Sequence, residues 1–248
     1  MINKIKNKLN FITQSLASID SKATLNQASV LDHLALTQLL KMFDDKIFIP
    51  LTSWSISPNE VLHVCNEIII NKRRNIIEFG SGFSTICIAQ LLKINNINTA
   101  FFSVENDANW AEELNGILKR MELSDFVKII VAPITNVPKE FAKANQEKWY
   151  DTEILSQALS QVETIELVLV DGPFGGTTPF ARYSAVPFLK NKLTSNYAVF
   201  LDDSARESEM KIAQDWQNLL QAKSIDYKRY TYLTNNYNFD IAPYGYNQ

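Results

Sequence analysis

From residue 75 onward the chain alternates short apolar runs with segments of helical period, and this alternation restricts the fold more than any other feature. The runs Asn75–Phe79, Ala100–Val104, Val127–Val131, Leu167–Val170 and Ala198–Leu201 are rich in β-branched and aromatic residues. Between them, Ser84–Leu92, Ala108–Met121, Thr152–Gln161 and Phe180–Lys190 place apolar residues at helical spacing. Strands that are apolar on both faces, as in "VKIIV" and "LVLV", belong in a parallel sheet with helices on each side. The spacing therefore predicts a doubly wound α/β domain. After a helix over Glu207–Gln221, the tail carries two more strand-like runs with no helix between them. They are expected to pair antiparallel around an Asn235-Asn236 turn.

The residues before this alternation read differently. Ile2, Ile5, Leu9, Ile12, Leu16 and Ile19 form one helical stripe, and Val30, Leu31, Leu34, Leu39, Leu40 and Phe43 form a second. Residues 1–45 are thus expected as an N-terminal extension of two helices, followed by a domain over 46–248. The stripes serve either packing on that domain or a homodimer seam. Pro50, Trp54 and Pro58 mark an irregular connector that leads into a helix from Pro58 to Asn71.

A chain of 248 residues with a formal net charge of −3 has no broad basic face for a nucleic-acid backbone. Its densest basic cluster, Lys72-Arg73-Arg74, reads as a solvated turn. No apolar run approaches the roughly 18 residues that span a bilayer. The first residues interleave lysines with apolar side chains and show no secretory core. Cys65 and Cys87, each inside a helical segment, read as reduced structural thiols. The expectation is a soluble, cytoplasmic protein without nucleic-acid or membrane partners.

In an open α/β sheet, ligands bind beyond the carboxyl ends of the strands, so the residues there carry the chemistry. After the first strand comes Glu78-Phe79-Gly80-Ser81-Gly82-Phe83-Ser84, a turn whose glycines admit a ligand close to the backbone. Ser84 stands where a pyrophosphate loop would want a third glycine, which weakens a dinucleotide reading. Glu105, after the second strand, is placed to accept hydrogen bonds from both hydroxyls of a ribose. Asp107 reads as the cap of the next helix. Asp171 follows the fourth strand, and Asp202 and Asp203 follow the fifth. Ser204-Ala205-Arg206-Glu207 has the form of a capping box. Arg182 and Tyr183 follow a glycine-rich loop on the ligand side, and Trp54 is a candidate lid. His33 and His63 lie on helices away from strand ends and read as neither base nor ligand.

The segments "IIEFGSGFST" and "FFSVEND", with "LVLVDGPFGG" and "AVFLDDSAR", resemble the motifs of class I S-adenosylmethionine-dependent methyltransferases of a GSGxST/DGP form, over residues 60–248. The resemblance implies a Rossmann-like seven-stranded sheet with an antiparallel last strand, and S-adenosylmethionine as cofactor. It implies Glu78, Gly80, Ser81 and Gly82 around the methionine portion, with Ser84, Asn106 and Asp171 beside them and Glu105 on the ribose. Asp171, Asp202 and Asp203 resemble the acidic trio that holds a divalent ion such as Mg²⁺ in metal-dependent O-methyltransferases. Asp171 is then the catalytic acid–base candidate, with Arg182, Tyr183 and Trp54 on the substrate. Two departures stand out: Ser84 replaces a glycine, and the third strand ends in Ala132-Pro133-Ile134 without an acid for adenine. Gly172 breaks the Asp-Pro-Pro-Tyr pattern of enzymes that methylate nucleic bases. The implied activity is methylation of a small molecule, on oxygen. The alternatives are a nicotinamide-dependent oxidoreductase and a non-catalytic S-adenosylmethionine-binding module.

Overall fold

The computed structural model of the protein describes residues 2–44, 48–237 and 239–245. Helix α1 (Ile2–Leu40) is one continuous element where two helices are expected. Neither proline nor glycine occurs before Pro50, so nothing interrupts its hydrogen-bond ladder. The side chains of the first stripe, Ile2 to Ile19, lie outside the described residues. In the second stripe Leu39 is buried and Leu31 and Phe43 are half-buried, while Val30, Leu34 and Leu40 remain exposed. The last turns of α1 dock on the domain through Ala35, Leu39 and a hydrogen bond from the Asn59 N–H to Asp32.

Helix α2 (Pro58–Ile70) begins where Ser57 Oγ accepts the Glu60 N–H and proline occupies the first turn. There follow β1 (Asn75–Phe79), α3 (Phe83–Ile94), β2 (Ala100–Glu105), α4 (Ala108–Arg120) and β3 (Lys128–Val131). A small antiparallel pair, β4 (Ile134–Asn136) and β5 (Lys148–Tyr150), stands apart from the main sheet. Then come α5 (Thr152–Ala158), β6 (Ile165–Val170), α6 (Ala185–Leu189), β7 (Leu193–Leu201), α7 (Glu207–Leu220), β8 (Lys223–Asp226) and β9 (Thr231–Thr234). The sheet has seven strands in the order β3-β2-β1-β6-β7-β9-β8, and β9 alone runs antiparallel to its neighbours. Strand order reverses between β1 and β6, the place where such sheets bind ligands.

Alternation along the strands builds a core on each face. Ile76, Leu167, Leu169 and Phe200 pack under α2, α3 and α4. Ile77, Val168, Val170 and Leu201 pack under α5, α6 and α7. Each such side chain contributes about 1.5–3 kcal/mol when fully buried. Free Cys65 and Cys87 are buried within α2 and α3.

Three local expectations need correction. Arg73 is buried rather than solvated: its Nε meets Glu67 Oε1 at 2.5 Å and its Nη1 donates to the Asn196 carbonyl at 2.6 Å, tying α2 to β7. Phe180 takes a φ of 55°, so no helix starts there, and α6 is confined to Ala185–Leu189. The tail hairpin turns at Tyr227–Tyr230, not at Asn235-Asn236, with Lys228 at a φ of 68°. Among the described residues, no helix is long and apolar enough to cross a membrane.

Candidate active site

The ends of β1 and β6 bring two loops into contact. The Asp171 and Gly172 N–H groups both donate to the Phe79 carbonyl, at 2.9 and 2.7 Å. Gly80 has a φ of 96°, and a Cβ on it would lie 2.8 Å from Gly172 N. A Cβ on Gly172 would lie 2.3 Å from Tyr150 Oη. Two residues without side chains are what let the loops cross, and the crossing sets Asp171 beside the Gly80–Gly82 turn.

Hydroxyls and an indole fix that turn. Trp110 Nε1 donates to the Ser81 carbonyl at 2.8 Å, Ser81 Oγ meets Ser103 Oγ at 2.7 Å, and the Gly82 N–H donates to Thr85 Oγ1 at 2.8 Å. The Thr85 and Ser103 hydroxyls both donate to Glu78 Oε2. Glu78 is fully buried beneath the loop and does not line the cavity, so it braces the turn instead of surrounding a methionine portion. Burial pushes its carboxyl up to about 7 against the pull of these hydroxyls. Glu105 Oε1 accepts the N–H groups of Asn106 and Asp107, each at 2.7 Å. Its Oε2 has one longer contact, 3.3 Å from Ser81 N, and is the oxygen free for a ligand. Burial raises the Glu105 carboxyl above its ordinary value, with the three backbone N–H groups pulling the other way. Asp107 caps α4 as expected.

A cavity of about 810 Å³ opens over these strand ends. Gly80, Ser81, Gly82, Ser84, Glu105 and Asn106 line it. Asp171, Arg182, Asp202 and Asp203 line it too, and Trp54 stands at its rim. A Cβ on Gly82 would meet nothing within 4 Å, so the loop presents open backbone to the cavity. The dimensions and donor set fit a nucleoside with a charged tail. Tyr183 does not line the cavity; its ring lies under Lys143 and its carbonyl accepts from Trp216 Nε1. His63 is buried among Phe200, Tyr227, Tyr230 and Tyr232, with Nδ1 2.9 Å from Tyr230 Oη. Burial holds its imidazole down at about 3, hence neutral.

Asp171, Asp202 and Asp203 bring one carboxylate oxygen each within 4.8 Å of one another, as a cation site requires. Arg182 is already among them. Its Nη2 lies 3.1 Å from both Asp171 Oδ1 and Asp203 Oδ2, and its Nη1 donates to the Asp202 carbonyl at 2.8 Å. Arg206 Nη1 reaches Asp203 at 2.8 Å, and Arg229 Nε lies 3.5 Å from Asp202. The cluster as folded therefore fits guanidinium groups and not a divalent ion. Burial and neighbouring Asp202 hold the Asp171 carboxyl well above the usual carboxylate range, with Arg182 opposing. Burial works against the Arg182 charge, but the surrounding carboxylates outweigh it and raise its pKa. The expected capping box is absent: α7 is capped at Arg206 without a side-chain hydrogen bond, and the Ser204 N–H donates instead to the Arg229 carbonyl.

Sequence reasoning missed Trp110, Tyr150, Phe174, Arg206 and Arg229, all of which line the cavity. Tyr150 Oη is buried and has no hydrogen-bond partner. Trp54 is 74% and Phe174 58% exposed, and their rings meet edge to face at 5.3 Å above the opening. The "KWY" of β5 was the available signal for Tyr150, three residues being too few to show alternation.

The sequence matches no protein-family model and no curated protein. Solved structures do match. A methyltransferase from Podospora anserina, SAH-bound, is 13% identical with a TM-score of 0.53, over 82% of this chain and 86% of its own. An O-methyltransferase from Bacillus cereus in complex with SAH is 11% identical with a TM-score of 0.52, over 84% and 90%. A putative caffeoyl-CoA O-methyltransferase from Staphylococcus aureus is 14% identical with a TM-score of 0.52, over 85% and 98%. At this identity the likeness is one of architecture: the chain has the fold of the class I S-adenosylmethionine-dependent methyltransferases.

Proposed function

We propose that the protein binds S-adenosylmethionine in this cavity and methylates a hydroxyl of a small molecule. One observation carries the reading. The Gly80–Gly82 turn and the Glu105 carboxylate meet at a single cavity, joined by the 3.3 Å contact from Ser81 N to Glu105 Oε2, and Asp171 lines the same cavity. The bound structural neighbours support it, since two of them hold SAH.

When bound, the cofactor supplies an electrophilic methyl group, which leaves the protein chiefly with alignment and a dry pocket. Glu105 Oε2 would accept the ribose hydroxyls, while Ser84 and the open backbone at Gly82 would face the methionine portion. Asp171, held above the ordinary carboxylate range, is a base suited to take a proton from an acceptor hydroxyl. Trp54 and Phe174 present exposed ring surface at the rim for the acceptor. The absence of a broad basic face favours a small acceptor over a nucleic acid.

Calorimetry with SAH tests the cofactor half. Glu105→Ala is expected to leave the fold intact and weaken binding by about 1–3 kcal/mol, the cost of abandoning buried donors. Unchanged affinity would remove the ribose assignment.

A further inference from the structure

We infer that Arg182 occupies the place a divalent cation would take in the acidic cluster, so that the cluster is a built-in guanidinium site and the protein needs no metal there. Its Nη2 is equidistant, 3.1 Å, from Asp171 Oδ1 and Asp203 Oδ2. Its Nη1 is committed to the Asp202 carbonyl. The Arg182 side chain is 4% exposed, so the guanidinium is enclosed by the groups it binds.

A hard cation must approach carboxylate oxygens to about 2.0–2.6 Å and take several at once. Here it would have to enter beside a buried positive charge and break two charge-assisted hydrogen bonds. The ion pairing points the same way. Three carboxylates, Asp171, Asp202 and Asp203, face three guanidiniums, Arg182, Arg206 and Arg229, each acid within 3.5 Å of an arginine nitrogen.

The loop geometry shows how the arginine arrives. The Gly172–Gly176 turn and the left-handed Phe180 carry the chain from β6 back over the sheet edge, delivering Arg182 to the carboxylates of β6 and β7. The Arg182 Nη atoms already donate to the Asp202 carbonyl and to Asp171 and Asp203, so they are not available to chelate two oxygens of an acceptor. An acceptor with a single hydroxyl would therefore suffice, where a chelating ion favours a vicinal pair.

Titration of the full-length protein with Mn²⁺, followed by electron paramagnetic resonance of the free ion, tests this. Wild type is expected to bind no stoichiometric Mn²⁺. Arg182→Gln, with a native circular dichroism spectrum, is expected to bind one Mn²⁺ at least about tenfold more tightly than wild type. Adding Asp203→Asn should abolish that binding. One equivalent of Mn²⁺ on wild type, lost in Asp203→Asn, would overturn the inference, as would a folded Arg182→Gln that gains none. If Arg182→Gln does not fold, the comparison of wild type with Asp203→Asn decides.

Discussion

Tyr150 and Glu78 show how much of the site is set by single buried groups outside the motifs. The Tyr150 hydroxyl has no partner in the protein, and a buried polar group left so costs about 1–3 kcal/mol. A ligand that supplied the partner would recover that energy, and on the proposed function the bound cofactor or acceptor would do so. Tyr150→Phe is expected to melt at or above the wild-type temperature while methyl transfer slows roughly tenfold. Thermal unfolding beside a transfer assay separates the two effects. Glu78 carries a pH prediction. Its carboxyl titrates near 7 when folded and near 4.5 when unfolded, so between these values the folded state binds more protons. Its contribution is thus fully present below about pH 4.5 and fades as pH rises to 7, by on the order of 3 kcal/mol. Unfolding free energies of wild type and Glu78→Gln across that window should differ in slope, with the variant flatter. Glu105 and Asp171 were legible because each directly follows a clear apolar strand. Tyr150 was not, because its burial comes from packing against Phe79 and Trp149, which no local pattern encodes.

Among the elements, those with strong local signals appear where the sequence puts them. β1 matches its expected bounds residue for residue, and β2 and α4 are each one residue from theirs. The misplaced features depend on single backbone conformations or distant contacts. Phe180 and Lys228 take left-handed φ values that their residue types do not announce, which shortens α6 and moves the tail turn. β4 and β5 exist through mutual pairing across residues 137–147, a relation no short window reveals. Arg73 looked like part of a charged turn, and its burial depends on Glu67 and Asn196, the latter 123 positions away. The crossing of the β1 and β6 loops yields a sharper expectation. Gly172→Ala must push a methyl into Tyr150 Oη, so destabilisation of about 1–3 kcal/mol is expected in denaturant titration. Gly82→Ala meets no neighbour and should unfold close to wild type while binding SAH less well.

At the scale of the molecule, the reversal of strand order between β1 and β6 gathers residues spread over more than a hundred positions into one cavity. Residues 80–84 and 105–106 face it from one side of the reversal, and 171, 182 and 202–203 from the other. On the proposed function the first group would hold the nucleoside and the second would carry the acid–base chemistry, and their meeting follows from the topology once the sheet is wound. The sequence could identify which strand ends matter, but not that three arginines would neutralise the acids there. The decisive measurement is a crystal structure with SAH. The ribose hydroxyls should lie within hydrogen-bonding distance of Glu105 Oε2, with the sulfur directed toward Asp171 and Tyr150. SAH bound elsewhere, or in this cavity with its ribose away from Glu105, would contradict the assignment of the site.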